Sequence, residues 1–140
     1  MMNDNLQAAE VAITVSFHDC DPMGVVWHGH YFRFFEKARE ALLRQIGYGY
    51  AEMAASGYVW PVVDAQVKYR QPLRCEEVIR VSARITEYEN RLRIDYEVKN
   101  AAGQVATRAH TLQVAVHQAT QEMCFVSPDV LLEKLGVKGC

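Results

Sequence analysis

Cysteine is scarce in this chain and badly spaced for metal or redox work. Cys20, Cys75, Cys124 and Cys140 include no C-x-x-C pair, so neither a zinc site nor a redox dithiol is indicated, and all four are expected as reduced thiols. The last of them is the final residue and not the fourth from the end, so the prenylation pattern is missing as well. No run of about 18 apolar residues occurs, and the opening "MMNDNLQAAEVAITV" has neither the basic stretch nor the sustained apolar core of a signal peptide. Cytoplasmic location without membrane insertion is the expectation. An excess of positive charge is also lacking: the formal net charge is −2 and Lys and Arg are dispersed, which argues against a nucleic-acid partner. Internal repeats, low-complexity tracts and Ser/Pro-rich linkers are absent. What remains is a 140-residue chain, half hydrophobic and 23% charged. Such a composition suits one globular domain, read here over residues 10–140, of a size that buries roughly 68–70% of its unfolded surface.

The hydrophobic periods divide the chain. Val11, Ile13, Val15 and Phe17 alternate with polar or small residues, as a strand with one buried face requires. Tyr31, Phe34, Phe35, Ala38, Leu42 and Ile46 then recur at three- and four-residue steps, with Arg33, Glu36, Lys37, Arg39, Glu40 and Arg44 on the other side. Gly47 would stop that helix. A shorter helical patch, "YAEMAASG", ends at Gly57. Val63 to Tyr69 alternate next, and Pro61 requires that this strand begin after it or lie at an edge. Ile79 to Ile85, Leu92 to Val98 and Val105 to His117 read as three more strands with short turns, hence an antiparallel meander. "SPDVLLEKLG" reads as a last helix with Ser127 as N-cap and Pro128 at its first position. One early helix followed by a run of strands is an α+β pattern, most simply an antiparallel sheet wrapped around that helix.

Between the first strand and the long helix lies "FHDCDPMGVVWHGHY". In its plainest reading "DPMG" is a type I turn, with Asp at the first position, Pro at the second and Gly at the fourth. Asp21 is nonetheless kept extended by Pro22 just ahead of a helix start. No Ser, Thr, Asp or Asn stands at the cap position near Gly29 and His30, so backbone N–H groups are left for a ligand oxygen or a developing oxyanion. Gly29 would let that ligand approach the backbone closely. His18, Asp19, Asp21, His28 and His30 contain enough ligand types for zinc, yet their spacing is not that of a metal site, and no metal is expected. Of Asp19 and Asp21, one is expected to turn to solvent or to a backbone donor. Cys20 reads as a buried thiol without a partner base. His110 and His117 read as strand residues, and the cluster Tyr31, Phe32, Phe34 and Phe35 as packing.

The segment "DCDPMGVVWHGHYFRFFEKARE" resembles the active-site segment of the 4-hydroxybenzoyl-CoA thioesterase family, including the bacterial acyl-CoA thioesterases associated with the Tol–Pal system. "VKYRQPLRCEEVIRV" is similar to that family's second strand, turn and third strand, and the likeness spans about residues 11 to 135. The resemblance implies a hotdog fold, a five-stranded antiparallel sheet around a long central helix. It further implies a homodimer or dimer of dimers, a homotetramer in the latter case, with acyl-CoA sites at subunit interfaces. Asp21 matches the catalytic carboxylate, as nucleophile on the thioester carbon or as general base for water. His28 matches the histidine of the Tol–Pal branch, which would orient the thioester or the leaving group. His30 replaces an asparagine, and Tyr31 matches a tyrosine near the site. The thioester oxygen would be held by an N–H at a helix start, near Gly29, or near Gly57 to Val59 of a partner subunit. Coenzyme A brings phosphates, for which Arg70, Arg74 and Arg91 are the candidates.

The expected activity is therefore hydrolysis of an aryl- or acyl-CoA thioester to the free acid and CoA. No cofactor is expected, since coenzyme A is part of the substrate. A hotdog hydratase or dehydratase, and a non-catalytic acyl-CoA or acyl-carrier binding module, are the alternatives.

Overall fold

A computed structural model describes residues 8–136; Cys140 and the end of the expected 10–140 domain lie outside it. β1 (Ala8–Thr14) leads through an irregular stretch into helix α1 (Tyr31–Gln45), followed by α2 (Tyr50–Ser56). The short strand β2 (Tyr58–Val59) precedes β3 (Val62–Tyr69), β4 (Val78–Glu87), β5 (Leu92–Lys99) and β6 (Val105–Gln113). β7 (Val116–His117) and helix α3 (Asp129–Leu135) complete the order. Five strands form one antiparallel sheet in the order β1-β4-β5-β6-β3, and β2 pairs separately with β7. This is the α+β arrangement anticipated from the pattern.

On α1, β4 and β5 the core is where the periods placed it, whereas the edge strand β3 leaves Val63, Ala65 and Tyr69 exposed. Tyr31, Phe34, Phe35, Ala38, Leu42 and Ile46 are buried on α1, and they face Ile79, Val81, Ala83 and Ile85 of β4 and Leu92, Ile94, Tyr96 and Val98 of β5. Each of the Val, Leu, Ile and Phe side chains contributes about 1.5–3 kcal/mol by leaving water, so this face fixes the helix against the sheet. Gly47 ends the helix at φ +78°, a left-handed conformation for which glycine has no Cβ penalty. β3 begins after Pro61 and occupies the sheet edge, both as anticipated.

Four details differ from the sequence pattern. Phe17 is 80% exposed, because the chain leaves the strand after Thr14 and turns through a single 3₁₀ turn at Phe17–Asp19. Arg39 is 9% exposed: it lies over a polar patch on the inner sheet face, where its Nη1 donates to Tyr96 Oη at 3.5 Å and Tyr96 Oη meets Thr111 Oγ1 at 3.0 Å. The run from Val105 to His117 is two strands, since the Val114 N–H is drawn to the Pro61 carbonyl (3.4 Å) and the chain then pairs with β2. Finally, α3 starts at Asp129 with Pro128 as its N-cap, so the Ser127 hydroxyl does not cap it.

Candidate active site

The polar stretch folds as a small hairpin. Asp21 N–H donates to the Val25 carbonyl at 2.9 Å, Gly24 N–H donates back to the Asp21 carbonyl at 2.9 Å, and Cys20 bridges Val26. Gly24 sits at φ +77°, the left-handed position that follows the turn. Asp21 Oδ1 accepts the Met23 N–H at 2.8 Å and, more weakly, the Val25 N–H at 3.4 Å. The plain turn chemistry is thus present, yet it engages one carboxylate oxygen only. Among the described residues Oδ2 has no donor.

The hairpin is anchored on the β3–β4 connection. Val26 N–H donates to the Leu73 carbonyl (2.7 Å), Val25 bridges Arg74, and Cys75 N–H donates to the Gly24 carbonyl (3.3 Å). Cys20 and Cys75 form a disulfide with Cα atoms 6.1 Å apart, inside the usual span for such a bond. The reading of these two cysteines as reduced thiols is therefore corrected. They are 55 residues apart in sequence and meet only because the hairpin folds onto that connection. Cys124 is a free thiol.

Asp19, two residues before Asp21, takes the opposite environment. It is 2% exposed, and Oδ2 accepts both the backbone N–H and the hydroxyl of Ser16 at 3.0 Å. Oδ1 faces His30 Nδ1 at 3.2 Å and pairs with the Arg33 guanidinium. Burial pushes this carboxyl upward, but the hydrogen bonds from Ser16 and Arg33 and the Arg33 charge outweigh it and hold the pKa below the ordinary value. Both aspartates accept backbone donors, but only Asp19 has both carboxylate oxygens engaged, and His30 has its place beside it.

A cleft of about 400 Å³ opens at the hairpin. Asp21, Trp27, His28 and Tyr31 line one side, and Tyr69 and Arg70, with Gln71 and Pro72, line the other. Tyr69 Oη donates to the His28 carbonyl at 3.1 Å, and its ring packs edge-on against Tyr31, centroids 4.9 Å apart. Burial raises the pKa of both phenols, so they stay protonated. The amides of His28 and Gly29, at the head of the helical segment that runs into α1, donate to no atom among the described residues. Gly29 serves a purpose other than the one anticipated: the Trp27 indole covers the position a Cβ would occupy, so glycine is needed to seat that ring.

The remaining candidates separate. Arg70 lines the cleft. Arg74 takes part only through its backbone pairing to Val25 and is exposed. Arg91 lies outside the cleft wall, in the β4–β5 turn, paired with Glu87 at 2.6 Å. Val59 is exposed in the β2–β7 ladder and does not line the cleft of its own chain. No three His, Cys, Asp or Glu side chains converge as a metal site among the described residues. Trp27 and Tyr69 went unnoticed in the sequence as cleft residues. Trp27 sits beside His28, a usable signal, whereas Tyr69 arrives from a different strand. A larger hollow, about 680 Å³, lies on the outer sheet face and shares Arg70. Its charges largely pair with one another, Arg93 with Asp95 and Arg108 with Glu97, each at 2.9 Å, and it holds neither Asp21 nor the free amides. The smaller cleft is therefore the candidate site.

A family model described as the thioesterase-like superfamily matches residues 15–135. The 1,4-dihydroxy-2-naphthoyl-CoA hydrolase of Thermosynechococcus vestitus is 32% identical over 117 residues, covering 82% of this chain and 74% of that protein. Acyl-CoA thioester hydrolase YbgC of Escherichia coli O157:H7 is 28% identical over 105 residues, 74% of this chain and 78% of its own. Among solved structures, a DHNA-CoA thioesterase from Staphylococcus aureus superposes with a TM-score of 0.78 at 28% identity, over 84% of this chain and 80% of that one.

The Asp19 cluster makes a prediction about stability. Because its folded pKa lies below the ordinary 3.8, its contribution is fully present above that pH and is lost as pH falls through the folded value. Asp19→Asn should cost about 2 kcal/mol at pH 7, measured by urea unfolding, and the gap to the unaltered chain should narrow at pH 3. A gap independent of pH would contradict the assignment.

Proposed function

Since the chain belongs to the thioesterase-like superfamily, with the hotdog fold of its relatives, its activity is hydrolysis of an acyl-CoA thioester, and we propose that Asp21 carries the chemistry in the cleft just described. The observation that carries this reading is one small cavity lined by both Asp21, whose carboxylate keeps a free oxygen, and His28, whose unpartnered amide is followed in the chain by that of Gly29. A thioester carbonyl seated there would place its oxygen at the His28 and Gly29 N–H groups. Those donors stabilise the charge that develops on the oxygen, an effect worth about 2.7–4 kcal/mol for one preorganised donor. Asp21 Oδ2 would then attack the carbonyl carbon to give an anhydride, or take a proton from the attacking water. Both routes expel the CoA thiolate. In a single turnover in ¹⁸O-water, label in the Asp21 carboxylate identifies the anhydride route with water attacking the aspartyl carbon, whereas the general-base route labels the product acid alone.

The neighbours have distinct tasks. Tyr69, through its bond to the His28 carbonyl, holds the amide-bearing segment in place. The His28 ring, between Trp27 and Tyr69, orients the thioester or leaving group at the cleft mouth. Arg70 supplies positive charge for a CoA phosphate. Tyr31, Tyr69 and Trp27 give an aromatic lining that suits aryl as well as aliphatic acyl groups.

The working unit is a homodimer or a dimer of dimers. β3 is at the sheet edge with Val62 and Val63 exposed, and a second copy pairing with that edge would satisfy its open ladder groups. The Gly57–Val59 segment and Arg91, off the cleft of their own chain, are the parts that such a neighbour would bring to the site. No metal takes part, and no helix of the described residues is long and apolar enough to cross a membrane. The reaction takes place in the cytoplasm, where CoA thioesters are made and used.

Asp21→Asn should leave the oligomer size unchanged in gel filtration and lower kcat by about two orders of magnitude or more, read as thiol released from aryl, short-chain and long-chain acyl-CoAs. Turnover close to normal would remove Asp21 from the chemistry. Exhaustive chelation should leave the rate intact; its loss, restored by zinc, would bring back a metal mechanism.

A further inference from the structure

We propose that the Cys20–Cys75 disulfide is a reversible clamp on the catalytic cleft: when oxidised it holds the Asp21 turn in working position against the opposite wall, and when reduced it lets the two part and turnover falls. The inference rests on the role proposed above for Asp21.

The cleft has two walls, one built from the stretch around Asp21 to Tyr31 and the other from Tyr69 to Pro72. Cys20 lies one residue before Asp21, and Cys75 three residues beyond Pro72, so the bond joins the walls beside the reacting carboxylate. The hairpin's other ties to that wall run through its far arm and tip: Val26 to Leu73, Val25 to Arg74, and Gly24 to Cys75. The arm that carries Asp21 has none of these. Upstream of it, Val15 pairs with Glu76 and Glu77 at 2.8 Å. From residue 16 to Asp21, however, the hydrogen bonds run within the hairpin stretch or to the helix head: from Asp21 N–H to Val25, from Cys20 N–H to Phe17, from Trp27 N–H to Asp19 and from Arg33 to the Asp19 carboxylate. Among the described residues, the sulfur bridge is thus the only direct link from residues 16–21 to the β3–β4 connection. Displacement of a reacting group by about 1 Å can cost on the order of a hundredfold in rate, so a partial loosening on that arm is felt in catalysis.

Both cysteines are only partly buried, within reach of an exchange partner. A disulfide that forms in a reducing compartment is of the transient or sensing kind, which is the behaviour a clamp needs. The step balances with a dithiol as reductant. One of its thiolates attacks a sulfur of the bridge, the S–S bond breaks to a mixed disulfide, and the second thiolate displaces the other cysteine. Cys20 and Cys75 leave with two electrons and two protons, and the dithiol leaves as a cyclic disulfide. A small disulfide reverses the exchange.

The test uses the full chain, oxidised with glutathione disulfide or reduced with dithiothreitol, the reagent then removed. Each form is verified by mass after alkylation, which should tag two more thiols in the reduced protein. Hydrolysis is followed by loss of thioester absorbance, and far-UV circular dichroism checks that both forms are folded. Reduction should lower kcat/KM by on the order of tenfold, and reoxidation should restore it. Cys75→Ser should sit at the reduced value and ignore either reagent. Equal kcat/KM in the two verified forms, failure of the bond to form under oxidant, or oxidised-level turnover in Cys75→Ser would each overturn the clamp. Absence of hydrolysis in both forms would overturn the thioesterase assignment itself, and the clamp with it.

Discussion

The arrangement depends first on one buried anion. Asp19 gathers the end of the first strand segment through Ser16, the head of the helical stretch through His30, and the first turn of α1 through Arg33. Its main-chain carbonyl also receives the Trp27 N–H at 3.0 Å. Four points along the irregular connection therefore converge on one residue. A carboxylate taken out of water is tolerated only when donors replace its hydration, and here they do so by fixing the geometry of the loop. The Asp21 hairpin and the open amides of His28 and Gly29 are held in mutual register as a result.

The two aspartates of the motif show how environment sets role. Asp19 is saturated with donors, buried and held ionised, so its chemistry is spent on structure. Asp21 shares only one oxygen with the backbone and opens onto a cleft. Residues of identical type two positions apart thus divide support and reaction between them, because one sits before the turn and the other within it.

Periodic segments were legible in the sequence because burial follows a period: α1, β4 and β5 bury the side chains their spacing indicates. The DPMG turn and the edge position of β3 followed from local proline and glycine chemistry. What could not be read depends on contacts between distant segments. Cys20 and Cys75 carry no spacing rule, and their bond exists because two loops are stacked by the hairpin. Tyr69 faces the cleft only because β3 lies beside the helix head, and Arg39 is buried because the sheet presents Tyr96 and Thr111 where it projects. Gly29 illustrates a subtler case, in which the sequence indicates that a small residue is needed and the local fold of the Trp27 indole back over it is the reason.

That indole has an optical consequence. The chain holds two tryptophans. Trp60 is buried with its Nε1 donating to Tyr48 Oη at 3.1 Å, while Trp27 stands half-exposed in the cleft wall against two imidazoles. Emission from the first is insulated from solvent and changes little with occupancy, whereas the second is quenched or shifted when a guest displaces water from its face. Nature has placed a fluorescent gauge of ligand arrival inside the molecule, and no dye needs to be attached to follow it.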